Sequence, residues 1–147
     1  MLFKKIVFPT DFSNLSERAR GYAAPLAKLC GSTVYVLHAI EPIELTNGEA
    51  DEEIAKFYDD IRREAERKME GEKEHFQKLG IEAETVVLLG KRWSTINSFA
   101  SENHADLIVL GSHGIRTREG NISIGTTSHK VAMTSPCPVL IVPHEED

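Results

Sequence analysis

The sequence has little cysteine, no excess of positive charge and no long apolar run. Its only cysteines, Cys30 and Cys137, match no metal-binding spacing; we expect two reduced, buried thiols, since a disulfide would suit an exported protein better. With 17 basic and 23 acidic residues the net charge is −6, so the basic surface on which DNA and RNA binding depend is missing. No segment approaches the roughly 20 apolar residues of a membrane-spanning helix. These absences argue against a nucleic-acid partner and a membrane partner.

The start of the chain also lacks the features of an export signal. The apolar run of residues 1–9 is short and is broken by Lys4 and Lys5. We therefore expect a cytoplasmic protein. The length of 147 residues is close to the commonest size of one domain, and neither a linker nor an internal repeat is visible, so a single domain over 1–147 is expected.

Apolar runs and amphipathic segments alternate along the chain. The runs are short and rich in β-branched residues, which favours strands, and the segments between them repeat apolar residues at helical spacing. Such alternation predicts an α/β fold with a parallel sheet covered by helices on both faces. The predicted strands are 6–8, 33–40, 81–89, 106–110 and 138–142; the predicted helices run from a cap at Asp11 or Ser13 to Gly31, and over 52–79, 94–103 and 126–134.

The segments that follow the strands hold the candidate binding residues, because ligands of open parallel sheets bind beyond the carboxyl ends of the strands. After the fourth strand, Gly111 and Gly114 would let a ligand approach the backbone closely. A loop then leads to Gly125, Thr126 and Thr127, where the last helix begins and free N–H groups suit a phosphate. Two ordinary turns and a helix cap would explain the same pattern.

Several polar residues near these strand ends have two readings each. The Asp11 carboxylate could accept hydrogen bonds from an adenine amino group or a ribose hydroxyl, or it could cap the first helix. Arg116 and Arg118 could neutralise phosphate or be solvated loop charges. Trp93 could stack on a base, or it could be a core or rim aromatic. The histidines form no metal-binding spacing, and no metal site is expected.

The chain resembles the universal stress proteins along nearly its whole length. Four segments carry the resemblance, in this order: 5–13 (KIVFPTDFS), 37–39 (LHA), 106–114 (DLIVLGSHG) and 135–143 (SPCPVLIVP). Together with the alternation of strands and helices, the resemblance implies an open five-stranded parallel sheet in the order 3-2-1-4-5, with two helices on each face. That fold is Rossmann-like, of the adenine nucleotide alpha hydrolase-like type.

The resemblance extends to the glycine pattern of the nucleotide-binding members. These carry glycine, two residues, glycine, nine residues, then glycine and serine or threonine. Gly111, Gly114, Gly125 and Thr126 match it, but ten residues, Ile115–Ile124, stand where nine are usual, and the usual aliphatic run before the last glycine is missing. The resemblance therefore implies binding of ATP or another adenine nucleotide, to which Mg²⁺ could bind through the phosphates. The departure leaves the path of this loop open but does not remove the phosphate-facing glycines.

The same resemblance assigns a role to each site residue. The adenine and ribose would lie beside the end of the first strand, the backbone after the second strand would contact the base, and the glycine segments would hold ribose and phosphates. In that order along the ligand, the residues are Pro9, Thr10 and Asp11; Ala39; Gly111; and Gly114, Gly125, Thr126 and Thr127.

The expected function is regulation in a stress response by a bound nucleotide. A slow ATP hydrolase is the alternative from another class, but no catalytic residue can be assigned, since no general base lies near the glycines and no Walker lysine is present. An interaction scaffold that binds no nucleotide is the third reading. Strand 138–142 carries no charge and is expected at the sheet edge, so a homodimer through that strand is predicted, in agreement with the resemblance.

Overall fold

A computed structural model describes residues 2–42, 51–112, 115–116, 122–123 and 126–143 of the chain. Strands and helices alternate through the described residues, as the sequence pattern predicts. The strands are β1 (Lys5–Pro9), β2 (Thr33–Ile40), β3 (Glu82–Leu89), β4 (Leu107–Ser112), β5 (Ile115–Arg116), β6 (Ile122–Ser123) and β7 (Val139–Pro143), and the helices are α1 (Asn14–Cys30), α2 (Asp51–Lys78), α3 (Arg92–Glu102) and α4 (Thr126–Thr134).

Five of these strands form one parallel sheet in the order β3-β2-β1-β4-β7. The central residue Val7 of β1 pairs with Tyr35 on one side and with Ile108 on the other. The predicted order 3-2-1-4-5 is confirmed, with β7 as the fifth predicted strand. β5 and β6 form a separate antiparallel ladder of two residues each, where the sequence analysis expected only a loop. Strands of two residues are too short to show a period in the sequence.

The central strand β1 separates two apolar layers. Ile6 and Phe8 point to the layer that holds α1 and α2, and they pack with buried residues such as Phe76. Val7 points to the opposite layer, where it packs with Ile96 of α3 and with α4. Successive side chains of a strand alternate between faces, and here both faces are buried, which explains the continuous apolar runs of the central strands.

Helix α1 packs closely on the sheet through small residues. Most of its buried residues are the alanines at 19, 23, 24 and 27. Tyr22 and Leu29 recur at helical spacing with Ala19 in the sequence, but they are 50% and 84% exposed. Pro25 lies on the exposed side, so the backbone bond that proline removes is one that water can replace. Gly31 ends the helix with φ of 65°, the left-handed conformation that suits glycine at this position.

The long helix α2 covers the same sheet face as α1. It buries Ala65, Met69 and Phe76, and its Glu72 forms a salt bridge of 2.9 Å with Arg20 of α1. Charged residues cover most of its remaining surface. Among the described helices, none combines the length and the apolar content that crossing a membrane requires.

Candidate functional site

A cavity of about 270 Å³ opens at the carboxyl edge of the sheet, between the ends of β1 and β4. The strand order reverses between these two strands, and open α/β sheets bind their ligands at such a point. The cavity brings together every described residue of the predicted site; Gly114 and Gly125 lie outside the described residues. Those that line the cavity are Pro9, Thr10, Asp11, Ala39, Gly111, Thr126 and Thr127.

The rest of the cavity wall has two kinds of surface. Apolar side chains come from the strands, from α1 and from α3, and hydroxyl groups come from α1, from the end of β4 and from the first turn of α4. A wall of this composition can hold a flat apolar group at one part and a strongly hydrogen-bonding group at another. The apolar residues are Leu15, Leu37, Ile96 and Leu110, and the additional hydroxyl residues are Ser16, Ser112 and Ser128.

Asp11 holds the turn between β1 and α1 through one carboxylate oxygen. Its Oδ1 accepts hydrogen bonds from the backbone N–H of Ser13 at 3.0 Å and from the hydroxyl of Ser16 at 2.8 Å. The N-cap position itself belongs to Ser13, whose side chain accepts from the N–H of Ser16. Asp11 is therefore not the helix cap, and its second oxygen, Oδ2, is the one that these bonds leave for a ligand.

The charge of Asp11 is stabilised where it stands. Burial raises the pKa of this carboxyl, but the hydrogen bonds from Ser13 and Ser16 and the positive charge of Arg92 outweigh it, so the pKa lies below its ordinary value. The carboxylate is thus ionised at neutral pH and acts only as an acceptor of hydrogen bonds.

The backbone around Thr10 is fixed by three further hydrogen bonds. Its N–H donates to the carbonyl of Leu37 at 2.8 Å, and its hydroxyl accepts from the N–H of Phe12 at 3.0 Å. Its carbonyl lies 2.8 Å from Nδ1 of His38, so that nitrogen carries the proton, because a carbonyl only accepts. Phe12 has a φ of 65°, and the centroid of its ring lies 4.6 Å from the centroid of the His38 ring. This wall of the cavity is therefore preorganised.

Gly111 is required for packing inside the protein. A Cβ at this position would lie 2.7 Å from the carbonyl oxygen of Leu15, in the first turn of α1. Its φ lies outside the left-handed region, so the backbone conformation alone does not require glycine here. The missing side chain lets α1 approach β4, and Ser128 of α4 donates to the Gly111 carbonyl at 3.2 Å. Gly111 thus joins two helices to the strand end.

The first turn of α4 presents Thr126 and Thr127 to the cavity. No acidic residue stands in this turn, so nothing there opposes an anion at the helix N-terminus. Ser128 is buried, and its hydroxyl donates to the carbonyl of Gly111. The first turn of α4 is therefore anchored to the end of β4.

Arg92 is the cavity residue of most consequence that the sequence analysis missed. It is the first residue of α3, half-buried, directly beyond β3. The rule that ligands bind beyond strand ends points to the segment after β3, but nothing in the sequence distinguishes Arg92 from an ordinary surface charge. Trp93, the next residue, packs against the core with Lys130 over its ring at 5.6 Å and does not line the cavity, so it is a core or rim aromatic.

The family model described as the universal stress protein family matches residues 2–143. The chain belongs to the universal stress protein family. Universal stress protein MJ0577 of Methanocaldococcus jannaschii is 27% identical, and the match covers 97% of this chain and 96% of that protein. The solved structure of MJ0577 superposes with a TM-score of 0.87 at 28% identity over the whole of both chains.

Two further solved universal stress proteins are complexes with adenine nucleotides. One, in complex with cAMP, is 25% identical, with a TM-score of 0.67 over 99% of this chain and all of that one. The other, from Archaeoglobus fulgidus in complex with dAMP, is 27% identical, with a TM-score of 0.65 over 96% of this chain and 98% of that one. Two members of the family that are similar to this chain along its length are therefore known in complex with an adenine nucleotide.

Proposed function

We propose that this universal stress protein binds ATP or a related adenine nucleotide in the cavity between β1 and β4, and that the bound nucleotide serves regulation in a stress response. The observation that carries the proposal is the convergence of the predicted binding residues on one cavity at the switch point of the sheet. The complexes of relatives with cAMP and dAMP support the adenine nucleotide as the ligand class. The proposal treats residues 1–147 as one domain.

The apolar part of the cavity suits the adenine base. Ala39 lies near the end of β2, and its backbone would contact the base edge, while Ile96 and Leu110 offer apolar contact. Asp11 is ionised and keeps an oxygen for the adenine amino group or a ribose hydroxyl. In the proposal, Pro9 and Thr10 also lie beside the adenine and ribose, and the hydrogen bonds of Thr10 fix their backbone.

The N-terminus of α4 suits the phosphates. Thr126 and Thr127 bring hydroxyls and first-turn N–H groups to the cavity, where the helix dipole favours negative charge. Gly114 and Gly125 join them in the proposal on the strength of the sequence pattern alone. Mg²⁺ would be held mainly by the phosphates, since the described residues contain no group of three or more His, Cys, Asp or Glu side chains that could bind a metal.

Binding without efficient hydrolysis is the function that the described residues support best. Among those that line the cavity, Asp11 is the only carboxylate, and it is engaged with Ser13 and Ser16. Hydrolysis needs a positioned water and charge stabilisation on the transferred phosphoryl group, and Asp11 alone does not supply both. Timed release of ADP from purified protein tests the hydrolase alternative, and failure to bind any adenine nucleotide would favour the scaffold.

The direct test is calorimetric titration of ATP, cAMP and GTP into nucleotide-free protein and two charge variants. Asp11→Asn should weaken ATP binding about tenfold, since it removes one charge-assisted hydrogen bond. Asp59→Asn is the matched control, because it removes the same charge from the exposed face of α2. Equal affinity in all three proteins would refute the role of Asp11, and no binding of ATP or cAMP by the parent would refute the function.

We further propose a homodimer through strand 138–142, in the cytoplasm. β7 pairs with β4 on one side only and is an edge strand of the described sheet. The N–H of Ile108 donates to the carbonyl of Pro138, so in a parallel ladder the N–H of Leu140 returns to Ile108. The N–H groups of Val139 and Ile141 therefore face away from β4. These are the groups that a second copy would pair with.

A further inference from the structure

Arg92 is held at the mouth of the cavity by the ends of two strands. The N–H of Gly90, after β3, donates to the carbonyl of Ile40 at 2.9 Å, and the N–H of Arg92 itself donates to Oε1 of Glu41 at 3.3 Å. These bonds tie the turn from β3 into α3 to the end of β2. The Arg92 side chain is half-buried and lines the cavity.

Arg92 is the only cation among the described residues that line the cavity, and Asp11 is the only anion. The positive charge of Arg92 contributes to lowering the pKa of the Asp11 carboxyl. Within the described residues, however, no carboxylate lies within salt-bridge distance of the guanidinium. Within the described residues, this guanidinium is therefore not committed to a carboxylate.

Helix α3, which begins with Arg92, packs against α4, whose N-terminus favours an anion in the same cavity. Lys130 of α4 lies 5.6 Å above the ring of Trp93, and Asn97 of α3 donates to Thr134 at 2.6 Å, so the two helices run side by side. Both begin at the carboxyl edge of the sheet and both contribute their first residues to the cavity wall. Two helix N-termini and one guanidinium thus meet a single cavity.

We propose that Arg92 binds a phosphoryl group of the nucleotide and thereby makes the site prefer phosphorylated adenosine to adenosine itself. The inference rests on the proposed function and adds a specificity-determining residue to it. A guanidinium presents its donors in a planar fork that matches two phosphate oxygens, and a charged pair in a partly closed cavity is stronger than one in open water. A neutral ribose hydroxyl would gain far less from the same group.

The test compares AMP with adenosine, by calorimetric titration of the full chain. Arg92→Gln should weaken AMP binding about 10- to 100-fold, the range for loss of a charge-assisted hydrogen bond, and leave adenosine within about twofold. Lys91→Gln is the matched control, since Lys91 is the exposed neighbour that does not line the cavity. Arg92→Lys keeps the charge without the fork and should lose less AMP affinity than Arg92→Gln.

Each contrary outcome has its own meaning. Equal losses for AMP and adenosine in Arg92→Gln would mean that Arg92 contacts the base, and unchanged AMP affinity would mean that it contacts nothing; both overturn the inference while the proposed function stands. If Lys91→Gln lost as much AMP affinity as Arg92→Gln, the effect would come from the net charge near the cavity and not from a contact of Arg92. That result would also overturn the inference. A parent that binds neither ligand would overturn the proposed function itself. Circular dichroism of Arg92→Gln and Arg92→Lys shows whether each variant is folded as the parent is.

Discussion

At the scale of single residues, two glycines of this chain differ in whether the structure has room for a side chain. Gly111 lies where a Cβ would meet the carbonyl oxygen of Leu15 at 2.7 Å, and that oxygen belongs to the backbone of α1 and cannot rotate away. Gly21, on the exposed side of the same helix, has no atom within 4 Å of such a Cβ. The first glycine is a packing requirement, and the second is not.

The same substitution should therefore have opposite effects at the two positions. Gly111→Ala should lower the free energy of unfolding by about 1–3 kcal/mol, the usual cost of forcing atoms into a packed region. Gly21→Ala should raise it by about 0.5–1 kcal/mol, since alanine is the better helix former. Urea denaturation of both variants measures the effects. Equal changes of the same sign would contradict the packing account of Gly111.

Site residues could be predicted from sequence only where a recognisable pattern accompanies them. Asp11, Gly111 and Thr126 stand in segments with marked turn and glycine signals, and the structure brings them to one cavity. Arg92 has no such signal, because one arginine after a strand looks like any surface charge. Its place in the cavity depends on which strands become neighbours, and that is a property of the fold.

At the scale of elements, the sequence predicts the existence of the strands and helices better than their faces. β2 and α4 have the predicted bounds, since β-branched residues fill Thr33–Ile40 and the helix begins after a glycine. In α1, the residues at helical spacing include Leu15 and Ala19, which are buried, but also Leu29, which is exposed. Alanine carries little hydrophobic signal, yet only a small side chain lets a helix lie so close to a sheet.

The edge strand β7 carries the prediction about assembly. Ile141 presents its N–H away from β4, so Ile141→Pro removes a donor from the proposed dimer contact without removing one from the β4–β7 ladder. Multi-angle light scattering should give a dimer for the parent and a larger monomer fraction for Ile141→Pro. Ile141→Ala, which keeps the N–H, separates loss of the backbone donor from loss of the side chain. A monomeric parent at micromolar concentration would contradict the dimer.

At the scale of the whole molecule, the site is a consequence of topology. The chain leaves β1 toward β2 on one side, and β4 pairs on the other, so the turns after β1 and β4 diverge and leave a cavity between them. The cavity is lined by the turn after β1, which carries the ionised Asp11, and by the first residues of α3 and α4. Each part has a structural role of its own, and their meeting point is where the nucleotide is proposed to bind.

The central claim is selective binding of an adenine nucleotide, and competitive retention tests it most directly. The purified protein is incubated with equal concentrations of ATP, GTP, CTP and UTP, separated from free nucleotide by gel filtration and denatured, and the released molecules are identified by mass spectrometry. The account predicts that ATP or its adenine products are retained in clear excess over the other three. Retention of all four in equal amounts, or of none, would contradict it.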